Sequence, residues 1–343
     1  MTPRVLPLAI VLSAAGAIRA AAQRLFDLKP IAPNVYLAVA VPRPYVNSNA
    51  TVVILDDAVL VIDSHSRPSA ARALIEEVRR VTTKPIRYVV NSHFHWDHAQ
   101  GNRAYVGAWP AGTEIISSEA TRANLERIGA TRIRAEIASL PDSVKALEAR
   151  VRAAAPGERT ALEARLADTR AYLEELRSME LTLPTLTFDR SLVLRRGGTV
   201  VYLLFLGRGH TDGDVVGYLP RERVVATGDL VHCWSPYMGD SYPFDWVRTL
   251  EELEKLDFDV MLPGHCDAIK GKETIRLWRD FITALLDETA RAIGDGLGLQ
   301  QVIDRVAAVL RSGFAARFPP GALDDVAVSI RKAWSVIAFQ SEE

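Results

Sequence analysis

Cysteine is nearly absent from this 343-residue chain, which holds only Cys233 and Cys266. A small scaffold stapled by disulfides is therefore excluded, and a chain of this length can bury a sizeable core without covalent help. Both cysteines flank residues that could hold a metal ion, so the expectation is two unpaired thiols, with Cys266 a small buried side chain. An excess of charge is lacking too: 41 Lys and Arg face 42 Asp and Glu, a formal net charge of −1. Proteins that grip nucleic acid or anionic membranes usually carry a basic excess, so no nucleic-acid partner is expected. Long apolar runs are missing beyond the N-terminus. There, VLPLAIVLSAAGAI (5–18) follows the basic start at Arg4 and precedes Ala20-Ala21-Ala22. This run is shorter than the roughly 20 residues a membrane span needs, and its flanks are those of a signal peptide. Residues 1–22 are expected to be removed, leaving a periplasmic or secreted chain with no stable membrane span. Internal repeats and low-complexity tracts are absent.

What is present alternates between strands and helices. VYLAVAV (35–41), ATVVIL (50–55) and AVLVID (58–63) are β-rich runs, with Asp56-Asp57 as a turn. Helical spacing of Ala71, Leu74, Ile75 and Val78 follows, with Pro68 suited to a first helical turn. IRYVV (86–90) is a further strand, and the alternation argues for a layered α/β domain over 23–295. Residues 118–182 break the rhythm. Two helix-forming stretches, from Asp142 and from Glu158, flank Pro156-Gly157 and read as an inserted helical hairpin. Val144, Leu147, Val151 and Ala154 form one stripe; Leu162, Leu166, Leu173 and Leu176 form the other. Glu148 and Arg152 have the spacing of a helical ion pair. The hairpin reads as an arm for packing or for a homodimer, with a lid as the other reading. Strands resume at 199–205, 215–219 and 223–227, and residues 296–343 form a helical extension.

Chemistry concentrates in NSHFHWDHAQGN (91–102), just past strand 86–90. His93 and His95, two apart in an extended segment, can reach one ion; Asp97 and His98, where the chain turns, can face a second. Imidazole and carboxylate suit Zn²⁺ and its first-row neighbours. Later strands end in glycine-containing loops that carry His210 (GRGHTDGD), Asp229 (ATGDLV) and His265 (LPGHC). Strand ends are where such folds hold ligands rigidly. His65, near Asp63, reads as a hydrogen-bonded loop histidine.

The set His-x-His-x-Asp-His at 93–98, with His210, Asp229 and His265 following in order, resembles the metallo-β-lactamase superfamily over roughly residues 30–290. The resemblance implies a four-layer αββα sandwich, here with an inserted hairpin and C-terminal helices. It also implies two metal ions, zinc foremost, with iron or manganese able to take the same ligands. His93, His95 and His210 would hold the first ion and Asp97, His98 and His265 the second. Asp229 would bridge them, and Asp63 matches the family's supporting aspartate. A shared hydroxide would then cleave an ester, lactone, thioester or β-lactam bond of a small-molecule substrate, with Asp97 handling the proton. Cysteine or serine usually stands at the position of Asp229 in zinc β-lactamases, whereas aspartate resembles the thioesterase and lactonase branches. The other readings are an iron oxygenase like the persulfide dioxygenases, binding one metal, and a non-catalytic metal-binding protein. Within WSPYMGDSYPFDW (234–246), Tyr237 and Tyr242 are candidate donors to a developing oxyanion.

Overall fold

Strand residues that alternate between two apolar environments force two sheets together. Along Val59–Ile62, Val59 and Val61 pack outward against a helix while Leu60 and Ile62 pack inward against a second sheet. This is the period-2 rule of a strand buried on both faces. A computed structural model describes residues 24–41, 45–109 and 112–339. The expected signal segment lies outside these, and none of the described helices is long and apolar enough to cross a membrane.

The first sheet runs β1 (Phe26–Ala32), β2 (Val35–Ala40), β3 (Ala50–Ile54), β4 (Val59–Ile62), β5 (Ile86–Val90), β6 (Glu114–Ser118) and β7 (Leu186–Phe188), side by side in chain order. Its first four strands pair antiparallel, and β4 to β7 pair parallel. The second sheet holds β8 (Ser191–Arg196), β9 (Thr199–Leu204), β10 (Val216–Leu219), β11 (Val224–Gly228), β12 (Val260–Pro263) and β13 (Ile269–Lys270). Only β11 and β12 pair parallel in it.

Between the sheets, Val53, Leu60, Ile62 and Val90 meet Val201, Leu203, Leu219 and Ala226. Outside the first sheet, α1 (Pro68–Val81) buries Leu74, Ile75 and Val78, and the short helices α2 (Trp96–Ala99) and α3 (Asn102–Val106) follow β5. Each such apolar side chain, fully buried, contributes about 1.5–3 kcal/mol. After α4 (Glu119–Asn124) and a π turn come the arm helices α5 (Ala130–Ala153) and α6 (Pro156–Ser178). Outside the second sheet lie α7 (Pro243–Lys255), α8 (Glu273–Gly294), α9 (Leu299–Phe314) and α10 (Ala327–Ala338). Trp246, Trp278, Phe281, Val306 and Ile330 share one core there, so α9 and α10 are continuous with the domain rather than a separate body. The order helix, sheet, sheet, helix is the expected αββα sandwich.

The arm differs in one respect from its sequence pattern. Helix α5 starts at Ala130 and runs through Pro141, whereas the apolar stripe suggested a start near Asp142. A proline inside a helix removes one hydrogen bond and costs about 3 kcal/mol in isolation. Here Ile137 and the buried Leu140 pack on Tyr172 and Leu173 of α6, holding the extra turns in place. Helix α6 is in turn tied down: Glu175 accepts from the Arg67 and Ser69 side chains and from the Ser69 backbone N–H. Glu148 pairs across the hairpin with Arg170 at 2.6 Å, not along its own helix with Arg152.

Candidate metal site

Ends of the two sheets converge. The Ser92 carbonyl, just past β5, accepts from Val215 N at 2.7 Å, and Gly264 N, just past β12, donates to Gly228 O of β11 at 2.8 Å. His93, His95 and His210 meet there with their rings mutually edge-on, centroids 4.7–4.8 Å apart. Each offers one nitrogen within 4.8 Å of the others. Their remaining nitrogens are held by protein. His93 Nδ1 lies 3.0 Å from Ser92 Oγ, His95 Nε2 2.8 Å from Asp240 Oδ2, and His210 Nδ1 3.2 Å from the Tyr237 carbonyl. Fixing one imidazole nitrogen in this way aims the other.

A second group, Asp97, His98 and His265, gathers beside the first. Asp229 stands between them: its Oδ2 is 3.2 Å from His265 Nε2 and 3.7 Å from His210 Nε2, and its Oδ1 is 3.5 Å from His98 Nε2. Asp63 supports the motif loop from below, binding His98 Nδ1 at 2.8 Å and Ser92 through both its N–H and its hydroxyl. His265 Nδ1 sits 3.0 Å from the Asn47 carbonyl. Backbone approach is close enough to demand glycine: a Cβ on Gly264 would stand 2.2 Å from Asp229 Oδ1. The donor set fits divalent ions. His93 Nε2, His98 Nε2 and Asp229 Oδ1 are buried with no hydrogen-bond partner, a cost that coordination would remove.

The electrostatics agree. Burial pushes the His93 and His210 imidazoles well below their ordinary range, keeping them neutral as ligands must be. Burial also opposes charge on His265, but the Asp229 and Asp97 carboxylates outweigh it and raise this group to about 9. His98 is raised as well, by Asp229, Asp97 and Asp63 acting against burial. In metal-free protein, charged His265 therefore stabilises the fold fully below its unfolded value near 6.5. That contribution, on the order of a few kcal/mol, disappears as pH rises through about 9. Metal must displace the same protons. Zinc binding is thus expected to release one to two protons near neutrality and to tighten by roughly ten- to hundredfold per pH unit between about pH 7 and 9. Titration calorimetry in buffers of different ionisation enthalpy measures both; pH-independent affinity would contradict the expectation.

Beyond the two groups opens a cavity of about 830 Å³, walled by His95, Asp97, His210, Asp229, His265, Trp96, Trp234 and Tyr237. Tyr237 is exposed on this wall, but its hydroxyl rests against Gly239, and its contact with a ligand is through its backbone carbonyl. Tyr242 is not on this wall. Its N–H is drawn to the Gly209 carbonyl at the start of α7, which turns the ring into a neighbouring cavity beneath the Arg208 guanidinium. His65 is buried and bonded to Ser48, as a loop histidine. Sequence reasoning missed Asp240 and Arg132, which carry no periodic or motif signal. It also missed a bond: Cys233 and Cys266 are joined as a disulfide, Cα–Cα 6.3 Å. Parallel pairing of β11 with β12 brings their following loops, and both cysteines, together.

Comparison with known proteins gives a consistent picture. The family model of the metallo-β-lactamase superfamily matches residues 43–265. A linear primary-alkylsulfatase from a Pseudomonas species is 25% identical over 266 residues, 73% of this chain and 48% of that protein. A type 2 metallo-β-lactamase from a Bacillus species is 30% identical over 112 residues, 31% of this chain and 40% of that protein. The chain thus spans about half the length, or less, of these curated relatives. A solved metallo-β-lactamase from Pontibacter korlensis superposes with a TM-score of 0.54 at 16% identity, covering 75% of this chain and 99% of its own. That likeness concerns the fold.

Proposed function

The chain belongs to the metallo-β-lactamase superfamily, and on that premise we propose that it is a dinuclear zinc-dependent hydrolase of ester-type bonds in small molecules. The carrying observation is Asp229, whose carboxylate stands between a three-histidine group and an Asp-His-His group. Bound there, two ions would supply Lewis acidity toward the scissile group and activate water. Around them, Asp97 Oδ2 faces the His98 and His265 nitrogens at 3.6 and 3.5 Å, placed to hold the proton that water gives up. Trp96, Trp234 and Tyr237 line the cavity and suit the apolar part of a substrate. Ester, lactone and thioester bonds rank ahead of β-lactams because aspartate stands at position 229. Sulfate esters join them, since a relative that covers 73% of this chain is a linear primary-alkylsulfatase. The Cys233–Cys266 disulfide supports export to an oxidising compartment, periplasmic or extracellular.

Metal analysis of purified protein together with a substrate panel tests the reading. About two zinc ions per chain are expected, with turnover of at least one ester, lactone, thioester, β-lactam or alkyl sulfate that His210→Ala abolishes. One iron per chain with oxygen consumption, or turnover indifferent to His210→Ala, would overturn it.

A further inference from the structure

Of the three histidines in the first group, His95 is the one whose nitrogen turned away from the other two meets a charged side chain among the described residues. The carboxylate that holds it belongs to Asp240, in the irregular 232–242 segment, 145 residues away in sequence. Asp240 is itself clamped at both oxygens by Arg132: Nη1 to Oδ2 at 2.8 Å and Nη2 to Oδ1 at 2.7 Å. The guanidinium also lies over the ring of Phe94, the residue preceding His95, 5.5 Å from its centroid. Arg132 comes from α5, in the extra turns before Pro141; α5 packs through Ile137 and Leu140 on α6, which Glu175 and Tyr172 anchor to Ser69 and Gln100. A chain of charge-assisted bonds thus runs from the inserted arm to an imidazole nitrogen of the metal site.

We propose that Arg132 is a positioning residue: through Asp240 it fixes the rotation of His95 and so its presentation of Nδ1, making the helical arm part of the metal site. This rests on the metal-site reading above. The geometry carries it in three ways. First, His95 Nδ1 lies 2.9 Å from His210 Nε2, so a small ring rotation would part the two groups that must meet one ion. Second, Asp240 Oδ2 serves His95 and Arg132 at once, leaving Oδ1 to anchor the carboxylate; without Arg132 nothing else among the described residues bonds Oδ1. Third, the Arg132 side chain is 53% exposed, and ion pairs so open to water contribute little to stability. Its removal should therefore be felt at the metal rather than in the fold.

The test uses the full chain and two metals. With zinc, competition against a chelating dye should show Arg132→Ala weakening the ion held by His93, His95 and His210 about tenfold and Asp240→Asn about ten- to hundredfold. With cobalt(II) as probe, both variants should shift and weaken the visible d–d bands, and Arg132→Lys should restore part of the wild-type spectrum. The metal affinity of the double variant should be no worse than that of Asp240→Asn alone, because the arginine's hydrogen bonds toward His95 run through the aspartate. Thermal midpoints should stay near wild type. Wild-type affinity and spectrum in Arg132→Ala, or additive losses in the double variant, would overturn the proposal while leaving the metal site standing. A wild-type chain that binds neither zinc nor cobalt would overturn both.

Discussion

Asp229→Ala is expected to lower kcat by at least about 10²–10³-fold, corresponding to roughly 3–4 kcal/mol of lost transition-state stabilisation. The substitution removes the one carboxylate that faces His98, His210 and His265 together. Each three-residue group keeps its own side chains but loses the ligand between them, so one ion should remain and the second should be lost or greatly weakened. Asp229→Asn should be nearly as damaging, because its amide keeps the shape but not the charge that two cations share. The charge has a second consequence in the metal-free protein. Asp229 contributes most to the raised proton affinity of His265, so without it that imidazole returns toward its ordinary range. The pH-dependent loss of metal-free stability between about 6.5 and 9 should shrink accordingly. Metal analysis, steady-state kinetics and thermal melts of metal-free protein at several pH values read these three effects separately. A variant that keeps two ions and turns over within tenfold of wild type would show that Asp229 does not join the sites.

How much of this was legible beforehand follows from which contacts are local. His93, His95, Asp97 and His98 lie within six positions, and His210, Asp229 and His265 each follow a strand, so sequence spacing alone nominates them. The alternation of strands and helices pointed to a layered α/β domain, and the sandwich followed from the resemblance that the metal motif carries; in the structure, residues alternating along β3, β4 and β5 serve both cores. Contacts that join distant segments leave no such trace. Asp240 and His95 are 145 residues apart and Arg132 and Asp240 are 108 apart, and neither pair has a spacing rule. Composition showed that 234–246 is aromatic but not which cavity each ring enters: Tyr242, a candidate oxyanion donor, lines the cavity neighbouring the metal site. In the arm, the charge pattern offered Glu148 an intrahelical partner, yet the return helix brings Arg170 within 2.6 Å. Tertiary geometry decides such choices.

The disulfide is the case where a non-local contact also carries a large energy. Replacing both Cys233 and Cys266 by serine is expected to destabilise the protein by about 3–4 kcal/mol, the loop-closure value for a cross-link of this length. For a domain of this size the melting midpoint should fall by roughly 5 °C. The effect should reach the metal site, because the bond joins the segment after Asp229 to the residue after His265. Cys266 holds a left-handed backbone conformation, φ 64°, and its carbonyl accepts from the Asn49 side chain at 2.5 Å. Freed from Cys233, this turn can relax and carry the His265 imidazole away from Asp229, weakening the second ion more than the first. Reductant added to the wild type should reproduce both the lowered midpoint and the preferential loss of one metal. Arg132→Ala, by contrast, should weaken the first ion with the midpoint unchanged, so the two perturbations separate the two halves of the site. A serine variant that melts with the wild type and keeps both ions would show that β11, β12 and the Asn49 contact suffice to hold His265 in place.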